Sequence, residues 1–318
     1  MRDAAARWSR STLLFLSRQR WLKDQATRVR SLRQLSRRFV AGETREEALA
    51  AVRRLNARGL WASFDHLNET VRDAEETREE VREYLRLLED IDRTGARANV
   101  SLKLTQCGLL LDPALALENA RAVVAEARAR GSFVRVDMEH GAVTQATLDI
   151  VRQLHAEHGE SHVGAVLQSC LRRTEADARA LCAERVRIRL CKGAYLEGPD
   201  IAFPDKPDVD ACFVRCMRVL LDSGVYHGIA THDERMLEAT LEHAERRHLP
   251  RDAFELQMLH GIREDLQRQL VDQGYRVRIY VPYGRHWYPY LMRRMAERPA
   301  NLAFVLRHLA RGRARSRE

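Results

Sequence analysis

From Gly42 onward the chain alternates between two spacings of apolar residues. Short runs whose apolar side chains recur at every second position, or without a break, read as strands. They are WASFDHL (61–67), ANVSLKL (98–104), FVRVDM (133–138), VGAVLQ (163–168), RVRIRL (185–190), HGIAT (227–231), FELQML (254–259) and RVRIYV (276–281). Between them apolar residues recur at three and four, as in DPALALENARAVVAEARARG (112–131) and TEADARALCAER (174–185). Those segments open on Asp112 and Thr174, both plausible N-caps. A strand followed by a helix, eight times over, predicts an α/β fold, the (β/α)8 barrel. An open doubly wound sheet is the alternative, but the chain carries neither GxG nor GxxxxGK[ST].

Composition adds bounds to this pattern. A chain of 318 residues that is 45% hydrophobic can bury a large core, and no linker or low-complexity tract divides it after Gly42. Its apolar runs fall short of the roughly 18 to 20 residues of a membrane span, and Leu13–Leu16 is too short for a secretory leader. A cytoplasmic enzyme is therefore expected. Cys107, Cys170, Cys182, Cys191, Cys212 and Cys216 are scattered without a CxxC pair, which predicts reduced packing thiols and no zinc site. His155, His158 and His162 have helical spacings, but Gly159 interrupts them and no HExxH supports a metal.

Charge is placed unevenly. Residues 1–40 hold eleven Lys/Arg and two Asp, while the other 43 basic and 43 acidic groups balance over residues 41–318. With Leu32, Leu35 and Phe39 at helical spacing, this arm suits an anionic membrane surface or a nucleic acid. Packing on the main body and a cleaved organellar presequence are the competing readings.

In a (β/α)8 barrel the chemistry lies at the C-terminal strand ends. Those ends deliver Lys103, Asp137, Gln168, Arg189 with Lys192-Gly193-Ala194-Tyr195, Thr231-His232, Gln257 and Tyr280. Beyond them, Tyr290, Arg293, Arg294 and Glu297 fall at i, i+3, i+4 and i+7, one face of a helix. A guanidinium fork fits a carboxylate, and Lys103 adds a third cation, so a small anionic substrate with an apolar body walled by Tyr280 and Tyr290 is expected. Lys103 as an imine-forming lysine with His232 as base, in a lyase or aldolase, remains open at this point, as does a nucleic-acid-binding module led by the arm.

RRFVAGET (37–44), SFDHLNE (63–69), VSLKLTQCG (100–108), VRVDMEH (134–140), VGAVLQSCLRRT (163–174), RIRLCKGAYLE (187–197), IATHDE (229–234), FELQMLHGIRE (254–264) and VRIYVPYGRHWYPYLMRRMAERPANLAFVLR (277–307) resemble proline dehydrogenase in its monofunctional bacterial form. The resemblance implies a distorted (β/α)8 TIM barrel with extra N-terminal helices, FAD held non-covalently, and oxidation of L-proline to Δ1-pyrroline-5-carboxylate. It implies Lys103, Arg293 and Arg294 on the substrate carboxylate, Tyr280 and Tyr290 against the ring, and Asp137 and Arg189 as catalytic. Met138, Gln168, Lys192, Gly193, Ala194, Thr231, His232 and Gln257 match flavin contacts, and Glu297 matches a support for the arginine pair. A membrane quinone is the implied electron acceptor, with the arm as a peripheral lipid contact and no nucleic-acid partner. The expected division is a basic helical arm (1–40), the barrel (41–310) and an arginine-rich tail (311–318). Two positions bear on the pattern: Cys191 stands where the family is more often aliphatic, and Tyr280 favours proline over 4-hydroxyproline.

Overall fold

A computed structural model describes residues 35–68 and 71–297, the side chains of Ala296 and Glu297 excepted. Helix α1 (Arg45–Ala57) precedes eight strand–helix pairs. These are β1 (Trp61–His66) and α2 (Ala74–Thr94), β2 (Ala98–Lys103) and α3 (Pro113–Ala129), β3 (Val134–Asp137) and α4 (Thr144–His158), and β4 (Val163–Gln168) and α5 (Thr174–Ala183). The second half holds β5 (Arg187–Cys191) and α6 (Lys206–Asp222), β6 (His227–Ala230) and α7 (Glu234–Arg246), β7 (Phe254–Leu259) and α8 (Glu264–Asp272), and β8 (Val277–Tyr283) and α9 (Trp287–Glu297). The strands form a closed parallel barrel in sequence order, β8 pairing back to β1 from Trp61↔Arg278 to His66↔Tyr283. The barrel predicted from the alternation is the barrel observed.

Local chemistry starts the helices. Asp73, Asp112 and Asp233 accept from the first-turn N–H groups of α2, α3 and α7, and Thr44 does so for α1. Thr174 departs from its expected role. It lies inside α5, and its hydroxyl donates instead to the Gln168 carbonyl, joining the helix to the end of β4.

Along each strand, one set of side chains packs outward under the helices: Ala62 and Phe64, Val100 and Leu102, Val134 and Val136, Ile188 and Leu190, Leu256 and Met258, Val277 and Ile279. The alternate set meets across the lumen. Arg189 on β5 donates to Asp137 on β3, to Gln257 on β7 and to Ser63 on β1, so four odd-numbered strands contribute to one layer. Below it, Glu255 accepts from Gln257 and from Arg278 Nε (2.8 Å). Where branched aliphatics ordinarily fill such a barrel, this one is filled by ion pairs and amides. Gly228 on β6 is required by that filling, since a Cβ there would sit 2.4 Å from Gln257 Nε2.

A second apolar cluster joins Leu35, Phe39, Val40 and Leu67 to Trp287, Tyr288, Tyr290, Leu291, Met292 and Met295 of α9. The end of the basic arm thus packs on the last helix, while residues 1–34 and the tail lie outside the described residues. Among the described residues, no helix is long and apolar enough to cross a membrane. All six cysteines are free.

His227 is fully buried, its Nδ1 accepting from Ile188 N–H (3.0 Å) and its Nε2 facing Ser223 Oγ (2.9 Å). Burial, helped by Arg135, pushes its pKa down to about 3. Between that value and the ordinary one near 6.5, the unfolded imidazole binds a proton that the folded one refuses. Stability is therefore lost as pH falls from about 6.5, by up to about 1.4 kcal/mol per pH unit from this group. Urea unfolding of His227→Asn is expected to show a shallower decline between pH 6.5 and 4.5 than the parent protein, and parallel declines would refute the assignment.

Candidate active site

Asp137 ends β3 at the centre of the barrel mouth. Its Oδ1 accepts from Arg189 Nη1 (2.8 Å) and its Oδ2 from the Tyr280 hydroxyl (2.7 Å), and Lys103 Nζ stands 3.8 Å away. The Arg189 guanidinium lies over the Tyr280 ring, 5.2 Å from its centroid. Burial and the Asp137 carboxylate hold the Tyr280 phenol well above its usual pKa, so it donates. Asp137 and Arg189, both nearly sealed from solvent, form a buried ion pair with every strong partner in place.

Lys103 is bound on its other side by Asp65, near the end of β1, and reaches the Tyr280 hydroxyl at 3.5 Å. Burial works against the ammonium, but the Asp65 and Asp137 carboxylates outweigh it and raise the pKa. An imine-forming lysine has to be neutral to attack a carbonyl. The site favours the opposite, a fixed cation, and so counts against the lyase alternative.

Gln168, Met138, the 192–194 segment, Thr231 and His232 lie along the ends of β3 to β6. Gln168 Nε2 donates to the Glu139 carbonyl (2.8 Å), and Glu139 accepts from Thr105 N–H and hydroxyl. Gly193, at φ +104, lies so close to β4 that a Cβ would stand 2.4 Å from Cys170 Sγ and 3.1 Å from Gln168 Oε1. The segment from Cys191 to Tyr195 therefore hugs the rim, half-buried. Lys192 donates to Asp210 (2.5 Å) and Asp233 (2.6 Å), which Lys206 also contacts, so the α6 and α7 N-termini hold the β5 loop. His232 Nε2 accepts from Leu259 N–H (2.8 Å), and Thr231 Oγ1 accepts from Asp233 N–H (3.1 Å). Guanidinium and amide donors beside a flat, close-lying backbone suit a planar heterocycle with carbonyl and ring-nitrogen acceptors. Gln257 stands apart from this sector: both ends of its amide turn into the barrel, to Arg189 and Glu255. Burial, with the neighbouring Cys170 adding to it, pushes the Cys191 thiol up to about 12, which favours the protonated form at neutral pH.

On α9 three of the four residues of the expected face come together. Arg293 and Arg294 place their guanidinium carbons 5.9 and 5.1 Å from the centroid of the buried Tyr290 ring. Glu297 closes the helix, but its side chain lies outside the described residues. Tyr195 connects the two sides of the mouth. Burial raises its phenol to about 12, with Glu139 and Asp137 adding to the rise and Arg293 and Lys103 opposing it. Its ring meets His140 edge-on at 6.4 Å. Of the three histidines read as a weak metal pattern, His155 meets the Glu184 carbonyl and His162 the Ser132 carbonyl, while His158 Nε2 stands 3.7 Å from Glu157.

Asp65, Asp210 and Asp233 were not singled out from sequence. Asp65 carries a signal in the sequence: it is a carboxylate on the inward alternation of WASFDH, near the C-terminal end of the first strand. Asp233 is the N-cap of α7, where an Asp ordinarily signals no more than a cap, and Asp210 lies one turn inside α6, where a carboxylate ordinarily marks a solvated face.

The proline dehydrogenase family model matches residues 48–307. Proline dehydrogenase of Deinococcus radiodurans is 42% identical over 281 residues, covering 87% of this chain and 91% of that protein. Proline dehydrogenase 1 of Bacillus subtilis is 40% identical over 298 residues, 94% of this chain and 98% of that one. Among solved structures, proline utilization A from Bdellovibrio bacteriovorus, inactivated by N-propargylglycine, superposes with a TM-score of 0.79 at 25% identity. That match covers 83% of this chain and 32% of the larger protein. With matches this long falling on an eight-stranded barrel whose mouth assembles Lys103, Asp137, Arg189 and Tyr280, the chain belongs to the proline dehydrogenase family and acts as a proline-oxidising enzyme.

Proposed function

We propose that the chain oxidises L-proline to Δ1-pyrroline-5-carboxylate with non-covalent FAD and passes the electrons to a quinone. The observation that carries this is the pairing of a cationic, aromatic α9 face with the Asp137–Arg189–Tyr280 centre at one barrel mouth. Arg293, Arg294 and Lys103 take the carboxylate, while Tyr280 and Tyr290 flank the pyrrolidine ring. Fixing the ring by its carboxylate turns a loose encounter into a reactive orientation. FAD, when bound, supplies the two-electron acceptor. In the substrate the C5–H bond breaks with its electron pair, the nitrogen loses a proton, and C5–N becomes double. Asp137, held by Arg189 and Tyr280, keeps the reacting end of the site anionic and fixed. Gln168, Met138, Arg189, Lys192, Gly193, Ala194, Thr231 and His232 would hold the flavin, and Gln257 would act on it through Arg189. Glu297 supports the arginine pair. The basic arm, residues 1–40, would rest on anionic lipid near the quinone.

Anaerobic addition of L-proline to FAD-loaded protein should bleach the flavin absorption, and a quinone in anionic vesicles should restore it, more slowly once residues 1–36 are removed. A flavin band unmoved by proline would sink the proposal.

A further inference from the structure

Two carboxylates share one ammonium at the heart of the mouth. Asp65 is 1% exposed and holds Lys103 from β1, while Asp137 stands 3.8 Å from the same Nζ without closing on it. Strand pairing sets this arrangement, because Lys103 lies opposite Asp137 in the β2–β3 register and Asp65 lies opposite Ser101, two residues earlier. Asp65 is therefore deeper, and it meets the mouth through the Lys103 ammonium, with the Tyr280 hydroxyl beside it. A lysine side chain has four rotatable carbons and no planar fork to pre-set its geometry. Without Asp65, the nearest anion to the ammonium is Asp137, whose oxygens are already used by Arg189 and Tyr280.

We infer that Asp65 is a positioning residue for proline oxidation: it anchors Lys103 so that the ammonium serves the substrate carboxylate and leaves Asp137 to Arg189 and Tyr280. This rests on the reading of Lys103 as a carboxylate clamp. The groups around Asp65 are few. Lys103 faces it from β2, Asp137 from β3 and Tyr280 from β8, with Tyr84 of α2 and the adjacent His66 within electrostatic reach. Lys103 is the cation among them that bonds Asp65 directly, so removing the Asp65 charge lowers the pH at which that ammonium is lost.

Asp65→Asn keeps the shape and removes the charge. It should raise KM for proline about tenfold, the equivalent of about 1.4 kcal/mol. It should also bring the alkaline limb of kcat/KM to a lower pH than in the parent enzyme, because burial then acts on the Lys103 ammonium with one carboxylate fewer to oppose it. Asp65→Glu should bring that limb back toward its original position, which a purely structural role does not predict. In a Lys103→Met background, where the ammonium is already gone, Asp65→Asn should add nothing to KM. Thermal unfolding and flavin retention identify any variant that has misfolded, in which case the glutamate variant decides. An Asp65→Asn enzyme that folds and keeps its KM and alkaline limb, while Lys103→Met raises KM, overturns the anchoring role alone. A Lys103→Met enzyme with unchanged KM overturns the clamp reading beneath it.

Discussion

Replacing both Arg293 and Arg294 by methionine should lower kcat/KM for L-proline by about three orders of magnitude, because truncating one side of a desolvated, bonded charge pair costs about 2–5 kcal/mol. The loss should appear mainly in KM. The carboxylate keeps its charge from substrate through transition state, so the interaction removed is uniform binding. Pyrrolidine, which has the ring without the carboxylate, separates this from general damage: its slow oxidation should be unchanged in the double variant. Lysine at both positions should recover only part of the loss, since charge returns but the fork and its seat on the Tyr290 ring do not. Equal losses for proline and pyrrolidine would show that the face supports the fold instead of gripping the substrate.

The second large effect concerns Asp137. Among the described residues it is the carboxylate paired with Arg189, whose side chain is 6% exposed. Asp137→Ala leaves that guanidinium buried and uncompensated, which costs about 3–5 kcal/mol. For a chain of this size the melting temperature should fall by roughly 10 °C. Asp137→Asn, whose one amide oxygen can still accept from Arg189 while its NH2 faces the Tyr280 hydroxyl, should unfold closer to the parent yet lose about a hundredfold in kcat. Adding Arg189→Met to Asp137→Ala should restore stability without restoring activity, since both partners of the pair are then gone. If the double variant is less stable than Asp137→Ala alone, the pair is not the unit described here. Calorimetry and steady-state rates with proline read both quantities.

The eight strands were legible because outward positions are apolar at every second residue and the helices between them are periodic. Their edges were less so, for local reasons. RVRIRL loses its first two residues because Arg185, at φ 58, and Val186, bonded back to the Leu181 carbonyl, finish α5 instead. RVRIYV gains Pro282 and Tyr283 because β1 continues to pair with them as far as His66. Thr231 drops out of β6 since its hydroxyl turns to the start of α7. At the site, cations and the lone carboxylate stood out at strand ends. Their partners did not: Asp210 and Asp233 lie 18 and 41 residues from Lys192, and only the closed barrel brings them to it. Gln257 matches a flavin contact by resemblance, and it lies within β7 with its amide bonded to Arg189 and Glu255 in the lumen.

A barrel lined with methyl groups can drift by single small steps, each costing a little volume. Here the lining alternates in charge from Asp65 through Lys103 and Asp137 to Arg189, and the neutral Gln257 amide links that run to the Glu255–Arg278 pair. A lone change of charge in that lining strands a neighbouring charge, so inherited variation along it has to arrive as matched couples, and the floor of the barrel is bound to the chemistry at its opening by electroneutrality alone.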